Sequence, residues 1–94
     1  MATYIMFGKY SQDSIKIIDA KRTEKAKELI KEYGGEIKSG YALLGKTDLV
    51  LIMELPDLER AMKTSVALSK VLGISFTTSP AVSMDDFDKL MEGV

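Results

Sequence analysis

The chain has 94 residues, 46% hydrophobic and 29% charged, with a formal net charge of −1 and neither cysteine nor histidine. That length makes one domain, residues 1–94, with a modest core that association would help to stabilise. The missing residue types exclude disulfides, thiolate nucleophiles, Ser-His-Asp and Cys-His catalysis, the common zinc sites and a proximal haem histidine. No metal and no cofactor is expected, and carboxylates, lysines and tyrosines are left for acid-base work.

Along the chain, "ATYIMFGK" reads as a strand from Thr3 to Lys9, ending near Gly8. It lacks the basic start and long apolar run of a signal peptide, and no uncharged apolar stretch approaches the roughly 18 residues of a membrane span. The expected location is cytoplasmic, with no membrane partner. Ser11 or Asp13 can cap a short helical turn. Asp19 can cap a longer helix, whose Ala26, Leu29, Ile30 and Tyr33 fall at i, i+3, i+4 and i+7. Gly34-Gly35 closes it.

"EIKSGYALLGKTDLVLIMEL" reads as two strands around Gly45-Lys46, the pattern of a two-residue type II′ turn. Pro56 breaks the second strand, and Asp57 caps a second long helix with Glu59 in its first turn. Leu58, Ala61, Met62, Ser65, Val66 and Leu72 give that helix one apolar face, and Gly73 ends it. "ISFTTSPAVS" is a last strand, stopped or shifted to an edge at Pro80. Ser83 and Asp86 resemble a capping box before a short terminal helix.

The order β-α-β-β-α-β implies an α+β ferredoxin-like sandwich: a four-stranded antiparallel sheet, two helices on one face, and a short C-terminal helix. With Gly45-Lys46 as the loop, alternation places Lys38, Gly40, Ala42, Leu44, Thr47, Leu49, Leu51, Met53 and Leu55 on the helix side. Ile37, Ser39, Tyr41, Leu43, Asp48, Val50, Ile52 and Glu54 then fall on the open face. On the first strand, Tyr4 and Met6 are expected to line the open face, with Ile5 and Phe7 turned to the helices. Leu43, Val50 and Ile52 make the open face too apolar for water. A second copy is the expected cover, giving a homodimer or higher homo-oligomer of the barrel type.

"GKTDLVLIMELPD", "GGEIKSGYALL" and "KRTEKAKELIKEYGG" resemble a GYD-domain protein, and the likeness runs over most of the chain. The resemblance implies a ferredoxin-like α+β fold that assembles into dimers or larger oligomers. It supplies no reaction. The name motif, Gly-any-Tyr-Asp, reads here Gly45, Lys46, Thr47, Asp48. Thr47 replaces the tyrosine, so any role of a phenol is absent or moved to Tyr41.

The candidate ligand-binding residues are Asp48, Glu54, Tyr41, Ser39 and Tyr4. Each has a plainer role. Asp48 can tie up backbone N–H groups of its own turn. Glu54 can pair with a lysine or arginine across the interface between copies, and Tyr41 can fill that interface. Arg22 could reach an anion, but a lone arginine in a charged helix is usually solvated. "LGKTD" joins two strands and lacks the upstream glycine and downstream helix of a phosphate loop. Two functions stay in view. One is an oligomeric module that binds a small molecule or partner between open sheet faces. The alternative is a small cofactor-independent monooxygenase or isomerase of the dimeric α+β barrel class, a reading by fold analogy alone. RNA binding on the open sheet fails for lack of positive charge, and no nucleic-acid partner is expected.

Overall fold

The computed structural model describes residues 1–13 and 20–94. The expected Asp19 cap and most of the turn after Ser11 lie outside the described residues. The elements are β1 (Ala2–Tyr10), α1 (Ala20–Glu32), β2 (Glu36–Ala42), β3 (Leu49–Leu55), α2 (Leu58–Leu72), β4 (Ile74–Ala81) and α3 (Met84–Leu90). The strands form one antiparallel sheet in the order β2-β3-β1-β4. This is the ferredoxin-like arrangement, with β4 at an edge, where Pro80 costs no ladder bond on its outer side.

The caps follow local chemistry. Asp57 Oδ1 accepts from the Arg60 N–H at 2.8 Å, and Ser83 Oγ accepts from the Asp86 N–H at 3.1 Å. Gly34 closes α1 at φ 83°, its N–H bonding the Lys31 carbonyl while the Gly35 N–H bonds that of Ile30. That is the Schellman pattern, and a side chain at Gly34 would be strained by the left-handed backbone.

The core lies between the sheet and the helices. Met6, Ile30, Met53, Leu55 and Leu68 are fully buried there, beside Tyr4, Ala26 and Ile74. The orientation expected for β1 is therefore reversed: Tyr4 and Met6 face the helices, while Ile5 and Phe7 face away. Both sides of β1 are apolar, so alternation gave no preference. Gly8 shares the helix side with Tyr4 and Met6. A Cβ at Gly8 would lie 2.9 Å from both Leu49 Cγ and Phe76 Cε1, so the absence of a side chain lets the neighbouring strands close over it.

The hairpin register holds over most of its length, with Ala42 opposite Leu49, Tyr41 opposite Val50 and Ser39 opposite Ile52. The connection is not a two-residue type II′ turn. Leu44 to Thr47 form an open loop closed by the Leu43 N–H bonding the Asp48 carbonyl at 2.8 Å, and Gly45 has φ 134°. Between Ile37 and Ser39 the register slips by one, so Ile37 pairs with Met53 and Glu36 with Glu54. This β-bulge moves Ile37 to the helix side, against expectation, where it packs on the core.

The buried stripe of α2 is Ala61, Thr64, Leu68 and Leu72. Leu58, Met62 and Val66, expected on one face with Ala61 and Leu72, are instead 58%, 62% and 58% exposed. Thr64 enters the core because its hydroxyl donates to the Arg60 carbonyl at 2.7 Å, which satisfies it without a tertiary partner. Ser65 instead accepts from the Thr78 hydroxyl at 3.0 Å and ties α2 to β4. Leu68→Ala should cost about 2–5 kcal/mol in urea unfolding. Met62→Ala should stay within about 0.5 kcal/mol.

Candidate functional site

The sheet face away from α1 and α2 is built in rows across the strands. One row runs Tyr41, Val50, Phe7, Thr77, the next Ser39, Ile52, Ile5, Ser79, and a third Glu36, Glu54, Thr3, Ala81. Its centre is apolar, with Phe7 41% and Tyr41 61% exposed. Charges sit at the two ends of the strands. At one end the Lys38 ammonium pairs with Glu36 and lies 3.9 Å from Glu54. At the other, the Lys9 ammonium donates to the Lys46 carbonyl at 3.1 Å. The bulge in β2 brings Lys38 to this acidic pair. No residue type in "EIKS" signals a bulge, so the pairing was not foreseen.

Of the five expected site residues, Ser39, Tyr41 and Glu54 share the open face. Tyr4 does not: it is 4% exposed and belongs to the core on the other side. Asp48 sits at the start of β3, where its Oδ2 accepts from the Tyr10 N–H at 2.8 Å and its own N–H bonds the Gly8 carbonyl at 2.9 Å. It therefore holds the end of β1 rather than its own turn. Asp48 and Glu54 stand six residues apart on one extended segment, about 20 Å, and do not converge on a common atom. Arg22 is drawn inward. Its guanidinium donates to the Leu72 carbonyl at the C-terminus of α2 and lies 5.6 Å from the centre of the Tyr10 ring. A cation at that position suits the helix dipole.

The Glu36–Lys38 pair sets a pH dependence. The Lys38 ammonium, through its hydrogen bond and charge, lowers the Glu36 carboxyl from its ordinary value. Glu36 in turn raises Lys38. A lowered carboxyl contributes above its unfolded range and is lost as pH falls through the folded value; a raised lysine is lost as pH rises through its folded value. Lys38→Met should return the Glu36 carboxyl midpoint, followed by carbon NMR, to the ordinary range. Asp48→Ala should cost about 1 kcal/mol and speed hydrogen exchange at the Tyr10 amide.

Comparison with known proteins agrees with this architecture. No curated protein matches the chain. The leucine response regulatory protein of Mycobacterium tuberculosis superposes with a TM-score of 0.58 at 8% identity, covering 88% of this chain and 51% of that one. A second crystal structure, of a mutant in which a glutamate is replaced by alanine, gives 0.58 at 10% identity over 88% of this chain and 51% of its own. The chain thus spans about half the length of these structures, and at such identities the likeness is one of fold. The GYD domain, by contrast, matches residues 4–91, nearly the whole sequence. The chain belongs to the GYD-domain family.

Proposed function

We propose that this protein works as a homo-oligomer whose copies pair through their open sheet faces, holding a small molecule or partner segment between them. The observation that carries this is the apolar centre of that face. Ile5, Phe7, Val50 and Ile52 are contiguous across the central strands β1 and β3, and neither α1 nor α2 covers them. Apolar patches of this kind are buried against something when the molecule is at work.

The charges favour a second copy as the cover. Glu36, Glu54 and Lys38 sum to −1 at one end of the face, while Lys9 and the adjacent loop residue Lys46 outweigh Asp48 at the other. A two-fold axis lying between the sheets and across the strands swaps these ends. It sets Lys9 of each copy over the acidic end of its partner. Ser39, Tyr41 and Glu54 then supply the polar contacts for whatever lies between the sheets. No observation favours turnover.

Sedimentation of the unmodified chain should show a dimer or larger closed oligomer, and Ile52→Glu should give a folded monomer. Lys9→Glu should weaken association, and adding Glu54→Lys in the same chain should restore it. An unmodified chain that sediments as a monomer at all concentrations would refute the reading.

A further inference from the structure

A second site lies on the other side of the sheet, where α1 stands off from β2. Two adjoining cavities open there, of about 130 and about 480 Å³. They share Tyr10, Thr23, Ile37, Leu49 and Leu51 as lining, so they form one cleft running from the sheet edge to the core. The deep part is apolar, ending on Leu72, Ile74 and Phe76. Its combined size is in the range of sites for small organic ligands, about 300–1,000 Å³.

Arg22 and Lys27 bring positive charge to the lining, Lys38 borders the opening while paired with Glu36, and no Asp or Glu is in the lining among the described residues. Arg22 lines the inner cavity, where it is held by the Leu72 carbonyl and the Tyr10 ring. Thr23 and Lys27, four residues apart on one face of α1, bring a hydroxyl and an ammonium to the same opening. An apolar floor under a cationic, hydroxyl-bearing rim selects a ligand with an apolar body and one anionic end.

We infer that the cleft between α1 and the β2–β3 edge binds a small amphipathic carboxylate. The carboxylate sits at Thr23 and Lys27, and the apolar chain or ring lies on Ile37, Leu49 and Leu51. The site is formed within one chain, with Ser39 and Tyr41 at the β2 edge bordering both its outer end and the open face.

The test is nitrogen-resolved NMR of the full chain, titrated with sodium octanoate below its micellisation point and, separately, with 1-octanol. Octanoate should give saturable shifts at Thr23, Ile37, Gly40, Leu49 and Leu51. Octanol should bind there about tenfold more weakly, lacking the charge-assisted bonds. Lys27 is an exposed helix residue, so Lys27→Glu should fold normally and weaken octanoate about tenfold while leaving octanol unchanged. Three results would overturn the inference: no saturable shift, equal affinity for the two probes, or shifts confined to Phe7, Val50 and Ile52 on the other face.

Discussion

Two helices can cover one face of a four-stranded sheet, and both α1 and α2 lie on the same face. Alternation along each strand then has an unavoidable consequence. Every inward residue that fills the core, such as Met6 or Met53, has an outward neighbour such as Phe7 or Ile52. In the two central strands those outward neighbours are also apolar. The core therefore leaves an apolar surface behind it, and association is the physical means of removing that surface from water. The proposed pairing of the open faces follows from this constraint.

Two small backbone features shape what surrounds that constraint. Gly8 lets Leu49 and Phe76 approach β1 from either side, which holds the sheet and its core together at the level of the cleft. The bulge at Lys38 sends Ile37 inward and Lys38 outward to the glutamates. A bulge also bends and twists its strand, and it occurs where β2 borders the cleft under α1. One inserted residue thus touches both surfaces: it sets the charge at one end of the open face and puts an apolar wall in the cleft.

Element order, the hairpin register and the caps at Asp57, Ser83 and Gly34 were legible in the sequence, because each rests on chemistry within a few residues. The errors came where the deciding partner is distant or the residue type misleads. β1 is apolar on both sides, so its orientation depends on the fit of Gly8 against β3 and β4. Thr64 looks polar yet is buried, because it bonds its own helix and needs nothing from outside. Asp48 was read as able to tie up N–H groups of its own turn, but it accepts from Tyr10, 38 residues away, which spacing could not reveal. Tyr4 was drawn into the candidate site by the same reversal of β1. The cationic cleft went unread because Thr23 and Lys27 look like any solvated helix face until the strand edge beside them is known.

The most direct measurement of the central claim is solvent access to the methyl groups of Ile5, Val50 and Ile52 in the unmodified chain. Methyl NMR with a soluble paramagnetic complex reads it at each position. If copies pair through the open faces, these methyls are shielded as well as those of Ile30 and Leu68, and dilution exposes them together. Strong paramagnetic broadening of all three at every concentration, with Ile30 and Leu68 still protected, would contradict the account.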